Sequence, residues 1–302
     1  MPRTVRFLIG LLLVMGADSV QSSARRVAFE GDDAGAQESS AHASLKPASA
    51  TSSDIPFTEY DSDAEQVLLD RANQARAEVG APRLAFDPGL RKAARAHAEA
   101  MFAARQLSHQ FDGEPSLPQR LATATRIQLD QEGENVALDF DAEQGHRHLM
   151  LSPPHRANLL NPAYNVVGLG VIRSGDRLYI VQDFGHALPN YSAEGLKDTI
   201  AAALAQARHQ ASQPDLVRRD LPMADDAACS MAKANKLGTS PVQQLAQRYS
   251  VLSYTSLHPE SLPANANRVI ASHNLRSFSV GACYARTETY PTGAYWVVLA
   301  LE

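Results

Sequence analysis

From position 62 onward, apolar residues return every three or four places. Leu68, Leu69, Ala72, Ala75 and Val79 make the first such stripe, the period of a helix with one buried face. Ser62 and Glu65 stand at capping-box spacing ahead of it, and Gly80 ends it. A second stripe, Leu90, Ala94, His97, Met101 and Ala104, follows Asp87 and Pro88, a cap and first-turn proline. This helix runs to about Arg105. Residues 141–150 (DAEQGHRHLM) read as a third helix, stopped by Pro153 and Pro154.

The period then changes to two. YNVVGLGVIR (164–173) and RLYIVQDFG (177–185) flank Ser174-Gly175-Asp176 and read as a hairpin. Leu178, Ile180, Gln182 and Phe184 share one face. A long helix over 193–211 follows, with Leu196, Ile200, Ala203, Leu204 and Ala207 inward, and 212–223 reads as a linker. In the last stretch a helix carries Cys229, Ser240-Pro241 opens another, and SVLSYTS reads as a strand. FSVGACYAR and AYWVVLALE form a second hairpin, with Tyr295 and Trp296 expected in its core. Residues 155–173 and 267–286 resemble each other: an early Arg, a Val-Gly step, and a following Tyr-led strand. The reading is a truncated repeat with Asn267 in place of His155, although chance similarity of two hairpins explains it as well.

The first 57 residues lack this patterning. Arg3 and Arg6 precede a short apolar run, Phe7 to Met15, and small residues place cleavage after Ala24. Residues 1–24 therefore read as a secretory signal, too short in its apolar part to span a bilayer. Residues 25–57, rich in Ala, Ser and Asp, read as a disordered linker. The expected divisions are then 58–190, a helix and linker over 191–223, and a small α+β region over 224–302. A secreted or periplasmic chain with two cysteines, Cys229 and Cys283, is expected to join them in a disulfide, with two free thiols as the alternative. The net charge of −5 gives no field for nucleic acid or an anionic membrane, and no later apolar run is long enough to cross a bilayer.

Three polar places remain in 58–190. His109 follows the second helix, Glu134 lies between Gly133 and Asn135, and His155 follows two prolines. All three read as loop positions, where sites concentrate. Two imidazoles and a carboxylate suit zinc or another divalent ion, or proton transfer. His97 reads as a packed structural residue, and His146 and His148 as solvated. Ser108 beside His109 lacks the Gly-x-Ser-x-Gly elbow of a serine hydrolase.

These pieces resemble the CAP superfamily, the domain of cysteine-rich secretory proteins, antigen 5 and plant pathogenesis-related proteins, in its bacterial form. The resemblance rests on LLDRANQARAEVGAPRLAFDPGLRKAARAHAEAM (68–101), LSH (107–109), GEN (133–135), SPPHRANLLNPAYNVVGLGV (152–171) and YIVQDFG (179–185), in family order over about 62–188. It implies a three-layer α-β-α sandwich, α/β in class, with a surface cleft. By motif, His109, Glu134 and His155 would line that cleft and form the metal set, with Gln182 beside them. Asn135, Arg156 and Asn158 would brace the loops. The family's second carboxylate has no clear counterpart; Glu143 is the nearest acidic residue, and Leu149 stands where the bacterial form usually has Trp.

Three functions follow from this reading. The first is a secreted module whose His/Glu-lined cleft binds a divalent metal such as zinc, or a small lipid or peptide, without turnover. The second is a metal-assisted extracellular hydrolase with Glu134 as general base. The third is an envelope interaction protein acting through 224–302. The balance of the reading favours binding over catalysis.

Overall fold

A computed structural model describes residues 59–302. The expected signal segment and Ala/Ser-rich linker lie outside these residues. The first helix, α1 (Ser62–Glu78), is capped by the Asp61 carboxylate, which accepts from the Ala64 amide; the cap is one residue earlier than the Ser62 expected. A two-residue strand β1 (Ala85–Phe86) leads to α2 (Pro88–Ala104), whose Asp87 cap accepts from Leu90. Then come α3 (Leu117–Ala124), β2 (Leu129–Asp139), α4 (Ala142–Leu151), α5 (Pro153–Leu160), β3 (Val166–Ser174) and β4 (Arg177–Ala187). Gly175 takes φ +59° at the β3–β4 turn, a left-handed conformation that glycine adopts freely.

Two of these elements correct the sequence reading. Glu134 is not in a loop; it sits in the middle of β2, an eleven-residue strand. His155 lies in the first turn of α5, which Pro153 and Pro154 open rather than merely precede.

The strands order as β1-β3-β4-β2, so β2 is a free edge. On one face Ala64, Leu68 and Ala72 of α1, Leu149 of α4 and Leu159 of α5 bury against Leu169, Ile180 and Phe184. On the other, Ala94, Ala98 and Met101 of α2 bury against Val136, Tyr179 and Val181. This is a three-layer α-β-α sandwich. The glycine step in β3 has a packing cause: a Cβ on Gly170 would come within 2.3 Å of the Ala94 backbone. The small residues of α2 and β3 thus let helix and sheet approach closely.

The rest of the chain builds a second sheet. α6 (Ala193–Gln210), β5 (Val217–Arg218), α7 (Pro222–Ala234), α8 (Ser240–Leu245), β6 (Ser250–Ser256), a 3-10 turn (Ala264–Ala266), α9 (Asn267–Ile270), β7 (Ser277–Ala285) and β8 (Ala294–Leu301) follow in order. The sheet order is β5-β7-β8-β6, with β5 parallel to β7 and the other pairs antiparallel, the same plan as β1-β3-β4-β2. The α6 helix, expected as part of a connector, packs Leu196, Ile200 and Leu204 onto this sheet beside Tyr254, Phe278 and Leu299. On the opposite face α7 packs Ala228 and Met231 against Trp296 and Val298. Cys229 and Cys283 are joined in a disulfide.

The two parts meet along one end of β2. Gln128 donates to the Gly293 carbonyl, Thr292 to the Leu129 carbonyl, and Arg286 to the Ala122 carbonyl. Asp130 pairs with both His186 and His258, one imidazole from each part, at 2.6 and 3.0 Å.

Candidate functional site at the free edge of the first sheet

Side chains alternate along β2, so Glu134 and Asn135 point to opposite faces. Glu134 pairs across the ladder with Asp183, and Asn135 with Gln182. Glu134 therefore faces the α2 layer and Asn135 the α4–α5 layer. His109 arrives from the chain after α2, His155 from α5, and the two rings meet around the strand edge with centroids 6.4 Å apart.

Each layer fixes its own half. Glu134 is almost wholly buried, and its Oε1 accepts from His109 Nδ1 at 2.9 Å. Arg120 of α3, itself buried, donates to Glu134 Oε2 and to the His109 carbonyl. One guanidinium thus holds both the carboxylate and the segment that carries the imidazole. His97 is fully buried; its Nδ1 faces Glu114 at 2.7 Å and its Nε2 faces the Ser108 carbonyl at 2.9 Å. It ties α2 to the residue before His109, which makes it a brace of the site rather than only a packed ring.

In the other layer, Asn135 donates to the His155 carbonyl and to Gln182 Oε1. Asn158 donates to the Glu134 carbonyl and to Asn135 Oδ1, so it also closes the open edge of β2. Gly133 leaves room for the Tyr164 hydroxyl, which a Cβ would meet at 2.4 Å, and that hydroxyl donates to the Glu132 carbonyl. The reason for this glycine is close approach, not a turn.

Gln182, expected along the cleft, is wholly buried, and its Nε2 has no partner. Glu143, the nearest acidic residue to the missing second carboxylate, pairs at the surface with Arg71 at 2.8 Å. No hydrogen bond of Arg156's side chain braces the site among the described residues, whereas Asn135 and Asn158 do so directly. His146, expected in solvent, is buried.

Four residues of the site escaped the sequence reading: Glu114, Arg120, Asp183 and, in its bracing role, His97. Asp183 is wholly buried, and neither of its oxygens has a partner outside the carboxylate pair with Glu134. Burial pushes its carboxyl well above the usual carboxylate range, and the negative charge of Glu134 pushes the same way. Strand alternation carried a signal for it, since a residue adjacent to Gln182 must occupy the face toward α2. His155 is shifted downward, first by burial and then by His109, so the neutral ring is favoured.

This order of pieces decides the family. A model described as the cysteine-rich secretory protein family, CAP, matches residues 69–184. Residues 69–184 thus carry a CAP domain. No curated protein matches. Among solved structures, the chain is similar to an extracellular SCP-domain protein of Bacillus anthracis, at 25% identity and TM-score 0.38, covering 41% of each chain. It is similar to a cysteine-rich secretory protein of Staphylococcus aureus at 20% identity and TM-score 0.35, covering 43% of this chain and 40% of that one. Na-ASP-1 covers more, 82% of this chain and 91% of its own, at 9% identity and TM-score 0.45. The chain thus spans about two-fifths of the two bacterial proteins.

The donor chemistry of the CAP site fits a divalent ion in part. Both oxygens of Glu134 are engaged, one by His109 and one by a guanidinium whose charge opposes a cation. Among the described residues no group of three or more His, Cys, Asp or Glu is arranged to hold a metal. The imidazoles differ. His109 is more than half exposed and uses only Nδ1, which leaves Nε2 open, and the His155 ring makes no hydrogen bond among the described residues. A carboxylate that orients one imidazole nitrogen while the other ligates is a recurrent second layer of metal sites.

Proposed function

We propose that the CAP domain is an extracellular or periplasmic binding module whose histidine pair, His109 and His155, takes a divalent ion such as zinc. One observation carries this reading: imidazoles supplied by opposite layers meet 6.4 Å apart at the edge of β2, the His109 ring held by Glu134 and the His155 backbone by Asn135. The lowered affinity of His155 for protons supports it, because a neutral ring offers the lone pair a metal needs. In this reading Glu134 is not a ligand. It orients His109, and Arg120 holds Glu134 in place. Leu107 and Leu151, two and four residues from the histidines, are exposed. They give the rim an apolar character suited to a small lipid or an apolar peptide segment alongside the ion.

The arrangement gives less support to hydrolysis. A general base needs a free oxygen within reach of a water, and Glu134 is buried with both oxygens engaged. The apolar signal-like N-terminus and the disulfide support an oxidising, non-cytosolic location.

We propose further that residues 191–302 are a second unit of the same plan without the site. The sheet register supports this. Gly281 packs on the Ala224 backbone as Gly170 packs on Ala94. Counting along the ladders from these glycines puts Val251, Leu252, Leu299 and Ala300 at the places of Glu134, Asn135, Gln182 and Asp183. Each polar site residue is replaced by an apolar one. The buried arginines set the register of the remaining segment: Arg76 donates to the Leu159 carbonyl and Arg208 to that of Ile270. Ala266, rather than the Asn267 expected, then stands at the place of His155. The unit is thereby left as a structural partner to the first.

The test is zinc titration of the purified chain by calorimetry. Wild type is expected to bind one equivalent. His109→Ala and His155→Ala are each expected to lose it while keeping the wild-type melting transition. Uptake unchanged in either variant would remove the histidine pair from the reading.

A further inference from the structure

Arg76 and Arg208 make a common ruler for the two parts of the chain. Each is wholly buried, and each donates Nε to the carbonyl of a proline six residues on, Pro82 and Pro214. Three residues before each stands Asn73 or Ala205, and eight residues after each stands Leu84 or Leu216. In the first part the Asn73 carboxamide closes both backbone groups of Leu84. Its Nδ2 donates to the Leu84 carbonyl at 3.2 Å and its Oδ1 accepts from the Leu84 amide at 2.7 Å. That pair binds α1 to the start of β1.

Ala205 has no side chain to do this. The Leu216 amide and carbonyl make no hydrogen bond to protein among the described residues. A cavity of about 300 Å³ opens beside Ala205 instead, walled by Leu204, Ala205, Leu216 and Phe278. Arg208 stands at the same cavity with its buried Nη2 unpartnered, whereas the matching nitrogen of Arg76 donates to the Tyr164 carbonyl. Arg218 crosses one end, paired to Glu194 and Asp198 of α6.

We propose that this cavity binds a small carboxamide carried on an apolar body, the amide making with Leu216 the two hydrogen bonds that Asn73 makes with Leu84. The volume lies at the lower end of small-molecule sites, enough for a single ring. The recognition is selective because a free backbone donor beside a free backbone acceptor matches an amide and not a carboxylate, which has no proton to give the Leu216 carbonyl. Asp215 at the same cavity faces the charge of Arg208, so the selectivity rests on the backbone pair of Leu216. The site lies in the second sheet and stands independently of the histidine pair.

The experiment follows backbone amide shifts of the full chain during titration with benzamide and, in parallel, N,N-dimethylbenzamide, which keeps the acceptor and lacks the donor. Benzamide is expected to shift Leu216 and Ala205 saturably, with the dimethyl compound at least ten-fold weaker. Ala205→Asn rebuilds the first part's clamp inside the cavity and is expected to abolish binding with the fold retained. Ala205→Leu fills the same space without polar atoms and serves if the asparagine variant does not fold. Absence of saturable shifts would overturn the proposal, as would equal binding of the two compounds or unchanged binding in both variants.

Discussion

Asp183 and Arg76 show two ways a charged side chain survives burial. Arg76 donates to four backbone carbonyls, of Pro82, Leu159, Asn161 and Tyr164, so every nitrogen of its guanidinium is hydrogen-bonded. Asp183 has no such set, and burial raises its carboxyl well above the usual carboxylate range. The sign of the consequence is fixed by linkage. A carboxyl that holds its proton more tightly when folded contributes its full stability below the unfolded value of about 3.9 and loses it as pH rises toward the folded value. Asp183→Asn removes that loss. In urea denaturation the variant is therefore expected to gain on wild type between pH 4 and pH 8, and a gap that stays constant over this range would show that Asp183 is charged in the folded state. Of the site's residues, His109, Glu134 and His155 were legible because each stands in a short motif. Arg120 and Asp183 were not, because their roles depend on which strand and helix lie opposite, which spacing alone does not give.

The elements were legible where burial imposes one clean period. α1, α2 and the β3–β4 hairpin fall within a residue or two of their sequence limits because apolar residues recur along each at one regular period. The β2 strand was not read. Its sequence, LDQEGENVALD, puts Glu134 and Asn135 where an ordinary strand puts apolar residues, and the missing alternation is the imprint of the site itself. Gly168 and Gly170 alternate with Val167, Leu169 and Val171 in the sequence, but the cause of these glycines, the approach of α2, needed the packed structure. Gly170→Ala is expected to destabilise the chain by about 2 kcal/mol or more, because the new methyl meets backbone, which yields little. A denaturation midpoint equal to wild type would mean that helix and sheet can part at no cost.

At the scale of the molecule, the two sheets share one strand order but not one chemistry. The first keeps a polar edge, braced by Arg120, Asn135 and Asn158; the second fills the matching places with Val251, Leu252, Leu299 and Ala300. The second part also carries the disulfide, which joins α7 to β7 across 54 residues of sequence. A loop of that length stabilises by about 4 kcal/mol in the chain-entropy picture. Reduction is accordingly expected to lower the stability of the second part by about that amount and to leave the histidine site unaffected, as read by thermal melts and zinc uptake in dithiothreitol-free phosphine buffer. Loss of zinc uptake on reduction would mean that the first part depends on the second for its site.

The most direct measurement concerns Glu134, whose place behind His109 separates an orienting carboxylate from a ligand. Glu134→Gln keeps the size and one acceptor and removes the charge. Zinc calorimetry of this variant is expected to show one equivalent still bound, with affinity lower by about ten- to a hundred-fold. Complete loss of the equivalent in a folded variant would make Glu134 a ligand, and an affinity equal to wild type would sever it from His109; either result contradicts the histidine pair held from behind.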